Sequence, residues 1–91
     1  MDENIMKKKI TFKHYAPEAG KVFLAGSFNG WNASANPLKK NKDGSWSILL
    51  NLFPGNYEYR FFVDGKWTDD QTCKKHHVNK YGGHNCVLIV D

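Results

Sequence analysis

The sequence predicts an all-β domain built as an antiparallel sandwich. Apolar residues alternate with period two through most of the chain, which is the side-chain period of a strand. The alternating segments are short and divided by Gly, Pro, Asn and Asp, the residues tight turns call for. No apolar pattern of period 3.6 lasts long enough for a helix of ordinary length. A single sheet could not cover the apolar faces of so many short strands, so two packed sheets are expected.

Each segment supports this in turn. In KITFKHY, Ile10, Phe12 and His14 share one face, and Pro17 with Gly20 closes a turn. In KVFLAG, Val22 and Leu24 alternate with Phe23 and Ala25. SWSILLNL places Trp46, Ile48, Leu50 and Leu52 on one face and Ser45, Ser47 and Asn51 on the other, ending at Pro54-Gly55. YEYRFFV sets Tyr57, Tyr59, Phe61 and Val63 against Glu58, Arg60 and Phe62. It stops at Asp64-Gly65, a strong turn signal because both residues tolerate positive φ. NCVLIV closes the chain with a short β-branched run. Residues 1–9 are expected to form a flexible N-terminal tail and residues 10–91 a single domain. Two polar stretches, 27–36 and 68–84, lack strand pattern; on a sandwich, such loops are where function concentrates.

Composition narrows the functional classes. A chain of 91 residues supports one core and not two. Its 41% hydrophobic and 24% charged content is that of a globular protein. The net charge of +4 comes largely from lysine clusters at residues 7–9, 39–42 and 74–80, whose scatter fits a solvated surface better than an anionic partner. The opening MDENIMKKKI has no apolar core of a secretory signal, and no stretch approaches a membrane span. A soluble cytoplasmic protein is expected, with Cys73 and Cys86 both as free thiols, the first in a loop and the second turned toward the core.

The residues that stand out are two tryptophans. Trp31 lies in GSFNGWNAS, flanked by Asn29, Gly30 and Asn32, with no apolar neighbours to bury it. Trp67 follows the Asp64-Gly65 turn and sits among charges. Either could fold over the sandwich end as a lid, or serve as an exposed flat platform. A ligand suited to such platforms is a sugar, whose axial C–H patches stack on an indole while its hydroxyls need donors and acceptors. Asn supplies both, and Arg supplies a fork of donors. Arg60 is expected on the outer face of its strand near Trp67, with Glu58 or Asp69 as ion-pair partners.

The motifs VFLAGSFNGW, DGSW, PGNYEYRFFVDGKWTDD and YGGHNCVLIV resemble the glycogen-binding domain family, the family 48 carbohydrate-binding modules. Such modules occur in the AMP-activated protein kinase β subunit and ahead of the catalytic domains of isoamylases and glycogen branching enzymes. The resemblance runs from about Ile10 to Val90. It implies an immunoglobulin-like sandwich of about seven short strands that binds α-1,4-linked glucan (glycogen, starch or maltooligosaccharides) and catalyses nothing, without a cofactor. A glycogen-metabolism enzyme or kinase would be the protein partner localised on the polysaccharide. The resemblance places the sugar-binding tryptophans at Trp31 and Trp67, the basic residue at Arg60, where the kinase relatives carry lysine, and the asparagine at Asn85. A leucine of the relatives falls on Tyr81.

Other chemistries fit less well. Cys73, His76, His77, His84 and Cys86 could supply zinc ligands, yet their spacing matches neither C-x₂-C nor H-x₃₋₅-H. Basic residues interleaved with aromatics could hold single-stranded nucleic acid, but Asp69 and Asp70 beside Trp67 would repel phosphates and the chain has only one arginine. A protein-interaction sandwich without a sugar site is the plainest alternative. No nucleophile–base or phosphate-loop pattern supports an enzyme.

Overall fold

The computed structural model describes residues 6–91 of the chain. Nine strands are assigned among the described residues: β1 (Lys8–Tyr15), β2 (Val22–Gly26), β3 (Asn36–Pro37), β4 (Lys39–Lys40), β5 (Ser45–Leu52), β6 (Gly55–Val63), β7 (Lys66–Thr68), β8 (His76–Val78) and β9 (His84–Val90). A 3₁₀ turn, Ser27–Asn29, follows β2. All pairings are antiparallel and form two sheets. One has the order β1-β5-β4; the other runs β3-β2-β6-β9-β8, with β7 folded back on β6.

The alternation read from the sequence is what holds the sheets together. Phe12 pairs with Ile48 in one sheet and Leu24 with Phe61 in the other, so each sheet offers a continuous apolar inner face. Phe61, Leu24 and Val22 are fully buried. The faces meet through aromatic contacts: the Phe12 and Tyr59 rings lie 5.0 Å apart edge to face, and His14 stacks on Phe61 at 4.6 Å. Trp46 is buried as well, its indole N–H donating to the Ala16 carbonyl at 2.8 Å. That bond satisfies the one polar atom its burial would otherwise strand.

The Asp64-Gly65 pair forms a two-residue hairpin loop, with Val63 opposite Lys66 and φ of 47° and 83° at its two residues. Positive φ at both positions matches the twist of the flanking strands. The Asp64 carboxylate also accepts the backbone N–H groups of Gly20 and Lys21, at 3.0 and 2.8 Å. This residue therefore ties the β1–β2 connection to the hairpin.

The expected all-β antiparallel sandwich is what the chain forms, its nine strands including the two-residue ladders β3 and β4, too short for alternation to show. Two expectations need correction. Strand β1 begins at Lys8, whose partner is Leu52, while Lys9 pairs with Asn51; the expected tail therefore ends earlier, and its residues 1–5 lie outside those described. Cys73 and Cys86 are not free thiols but form a disulfide, with Cα atoms 5.9 Å apart, inside the span a disulfide bridges. Tyr59 explains the approach. It pairs with Cys86 across β6 and β9, and its buried hydroxyl donates to Asp70 at 2.6 Å. Asp70 in turn accepts from the Thr72 N–H and hydroxyl at 3.0 and 2.8 Å. The turn this builds delivers Cys73 beside Cys86.

Candidate functional site

Trp31 is held out of the core by its backbone. Gly30 and Trp31 both adopt left-handed conformations, with φ of 67° and 60°, and the Trp31 N–H donates to the Gly26 carbonyl at 2.9 Å. A tryptophan in this region costs on the order of 1–3 kcal/mol and persists only where its surroundings enforce it. The enforcing residue is Asn29. Its side-chain oxygen accepts from Gly26 N–H at 3.1 Å, and its amide donates to the Leu24 carbonyl at 3.1 Å and to Asn36 at 2.6 Å. Asn29 is thus the anchor of the loop, and the Trp31 it presents is 37% exposed.

Trp67 reaches the same place from β7. Its partner across the hairpin is Phe62, and the two rings meet at 5.0 Å. Trp67 as a whole remains 43% exposed. The Trp31 and Trp67 ring centroids lie 6.4 Å apart at an interplanar angle of 65°. Two tryptophans separated by 36 positions in sequence therefore form adjoining walls.

Arg60 lies beneath Trp67, its guanidinium carbon 5.8 Å from the ring centroid, within range of a cation–π contact. Of its two candidate ion partners it takes Asp69, with Nε and Nη2 at 3.0 and 2.8 Å from Oδ1. Its side chain is only 14% exposed. Gly83 closes over it: a Cβ at that position would come 2.7 Å from Nη1.

A chain of hydrogen bonds fixes Asn85. Its amide donates to Glu58 Oε1 at 3.1 Å, while its oxygen accepts from the Asn79 amide at 3.1 Å. Glu58 Oε2 lies 3.1 Å from His77 Nδ1. The hydrogen bond from Asn85, assisted by His77, holds the Glu58 carboxyl below the usual glutamate range although partial burial opposes this. Asn79 Oδ1 accepts the N–H groups of Tyr81 and Gly83 at 2.9 and 3.1 Å. That asparagine-centred turn projects Tyr81, 83% exposed, from the loop between β8 and β9.

These elements enclose a depression of about 640 Å³ lined by Trp31, Arg60, Trp67, Asn79, Lys80, Tyr81 and Asn85. All five residues singled out in the sequence border it. Asn79 and Lys80 were not foreseen. The signal for Asn79 was an asparagine preceding the Gly82-Gly83 pair, where side-chain-capped turns form, and Lys80 is its neighbour. The depression has aromatic walls, a mostly covered guanidinium, the exposed Lys80 beside Tyr81 and two amides. It is suited to stacking and hydrogen bonding.

Comparison with known proteins bears on this arrangement. Residues 7–91 match the family described as the glycogen recognition site of AMP-activated protein kinase. The chain is 40% identical over 72 residues to Protein PTST homolog 2, chloroplastic, of Arabidopsis thaliana, covering 79% of this chain and 13% of that protein. It is 43% identical over 54 residues to the human 5'-AMP-activated protein kinase subunit beta-2, covering 58% of this chain and 19% of the subunit. The 1,4-alpha-glucan-branching enzyme of Dictyostelium discoideum is 36% identical over 77 residues, covering 63% of this chain and 11% of the enzyme. The chain thus spans a small fraction of the length of these relatives. Matched along nearly its whole length, the chain belongs to the family of glycogen recognition domains typified by AMP-activated protein kinase.

Proposed function

We propose that the chain is a non-catalytic module that binds α-1,4-linked glucan in the depression between Trp31 and Trp67. The observation that carries this reading is the convergence of two exposed indoles, 6.4 Å apart, on a cavity whose other walls are Tyr81, two asparagine amides and the cations Arg60 and Lys80. Sugar rings stack their C–H faces on the indoles. Asn85 and Asn79, already oriented by each other, offer donors and acceptors to hydroxyls, and Tyr81 supplies a further ring or its hydroxyl. Arg60 acts first as a support. Its contacts with Trp67 and Asp69 position the platform, and its remaining exposed edge is available to a hydroxyl.

The arrangement disfavours nucleic acid. The guanidinium is matched by Asp69 at 2.8 Å, so of the two lining cations only Lys80, over the Tyr81 ring, has no carboxylate partner among the described residues, fewer than a groove tracking several phosphates uses. A module of this kind would hold a partner, such as an enzyme or kinase of glucan metabolism, on the polysaccharide.

Titration of tryptophan fluorescence with maltoheptaose tests the reading. Trp31→Ala and Trp67→Ala should each weaken binding by about 1–3 kcal/mol, the range for losing one aromatic stacking platform for a base. Affinity should change little between low and high salt, since a neutral ligand releases no counterions. A wild type that binds maltoheptaose with equal affinity in both mutants would place the site elsewhere. Retardation in a native gel by RNA and not by glycogen would replace the glucan reading altogether.

A further inference from the structure

A second depression, of about 310 Å³, adjoins the first and shares Trp31 and Asn85 with it. Its other borders include Ser27, Asn56, Glu58 and Val87. Trp31 and Asn85 thus form a ridge with a hollow on each side. The strand register explains the second hollow. Asn56, Glu58 and Arg60 alternate along β6 and project from one face of the sheet, and Val87 on β9 stands opposite Glu58. The face that carries Arg60 in the first depression therefore continues along the same strand into the second.

The chemistry of the second hollow also suits a neutral polyhydroxyl chain. Ser27 Oγ accepts the Glu58 N–H at 3.1 Å, which leaves the hydroxyl proton to be donated outward. The Asn56 amide is exposed and has no hydrogen-bond partner among the described residues. Each Glu58 oxygen has one protein contact, to Asn85 and to His77, and an ionised carboxylate retains further acceptor sites. Val87 offers an apolar patch for sugar C–H groups. The volume is at the lower end of that of small-ligand sites.

We propose that this second hollow is an extension subsite: a glucan chain occupying the first depression crosses the Trp31–Asn85 ridge and lays further glucose units against Asn56, Ser27 and Val87. The subsite rests on the glucan reading above. It makes the module discriminate chain length, favouring chains long enough to reach across the ridge. Glu58 links the two hollows: it borders the second and, without lining the first, orients Asn85 for it.

The experiment compares maltotriose with maltoheptaose on the full chain by isothermal titration, in wild type, Asn56→Ala and Trp67→Ala. Amide chemical shifts of the wild type are followed by NMR in parallel. Asn56→Ala should weaken maltoheptaose about two- to ten-fold, as expected for one or two lost hydrogen bonds, and leave maltotriose unchanged. Trp67→Ala should weaken both ligands. The amides of Asn56 and Val87 should shift with maltoheptaose and not with maltotriose. An unchanged maltoheptaose affinity in Asn56→Ala, with no shifts at Asn56 and Val87, would remove the subsite and leave the primary site standing. Equal weakening of both sugars would overturn it too, by showing that Asn56 acts through the fold. A wild type that binds neither sugar would end both readings together.

Discussion

Breaking the Cys73–Cys86 bond is the most informative perturbation of this fold. The cysteines are 13 positions apart in sequence. For a closed loop of that size, the chain-entropy relation gives about 3 kcal/mol of stabilisation, exerted on the unfolded state. The native state should lose little, because other contacts hold the loop in place. Tyr59 still donates to Asp70, Thr72 still closes its turn, and β8 still pairs with β9. Urea melts with and without reductant measure the difference. With slopes of about 1–3 kcal/mol/M, the midpoint should fall by about 1–3 M, and the slope itself should rise because the reduced unfolded chain exposes more surface. Asn79, Tyr81 and Asn85 all lie between the two cysteines, so with the native loop retained the folded reduced protein should bind maltoheptaose with little change in affinity. An unchanged midpoint after verified reduction would refute the entropic argument. Two reactive thiols in unfolded protein kept free of reductant would refute the bond.

Three further outcomes are expected. Phe61→Ala should lower stability by about 2–5 kcal/mol and Leu50→Ala by an amount near the lower end of that range, since Phe61 is fully buried and Leu50 only half-buried; equal midpoints in chemical denaturation would contradict the core assignment. Gly83→Ala forces the Arg60 guanidinium to move from beneath the new methyl, and should weaken glucan binding with little change in melting temperature; unaltered affinity would show that Arg60 has room to spare. Burial against Phe61 holds the His14 pKa below its usual value of 6.5, although Asp70 pulls the other way. The unfolded chain therefore takes up a proton at higher pH than the folded one, and stability should fall as pH drops below about 6.5. His14→Phe, compared by melting at pH 5 and 7.5, should flatten that dependence, and an unchanged slope would assign it to other groups.

What the sequence disclosed follows from which interactions are periodic. Trp46, Ile48, Leu50 and Leu52 announce their strand because every second side chain faces the same core. The strand β8 carries His76, His77 and Val78, all exposed, so no face of it is apolar and no alternation could mark it. The site tryptophans were distinguishable from Trp46 only by their neighbours: Gly30 and Asn32 around one, Lys66 and Asp69 near the other, against Ile48 and Leu50 beyond the third. Arg60 was readable as outward-facing, but its choice of Asp69 over Glu58 depends on the β6–β7 hairpin, which brings Asp69 alongside. Glu58 is meanwhile taken by Asn85 and His77. The disulfide was hidden for a similar reason. It depends on Asp70 falling near Tyr59 where the β6–β7 hairpin ends and on Tyr59 pairing with Cys86 across β6 and β9, a long-range register that no local pattern marks.

The three tryptophans also sort themselves optically. Trp46, buried with its N–H bonded to Ala16, sits in a fixed apolar setting and should emit at short wavelength until the sandwich opens. Trp31 and Trp67 face solvent with ring centroids 6.4 Å apart, close enough for their excited states to couple. Such a pair produces an exciton couplet in the ultraviolet circular dichroism spectrum, a signal that neither indole gives alone. The couplet reports the angle between the two walls, whereas the Trp46 emission reports the core. One unlabelled sample therefore carries two separate spectroscopic gauges, one for the integrity of the fold and one for the geometry of the cleft.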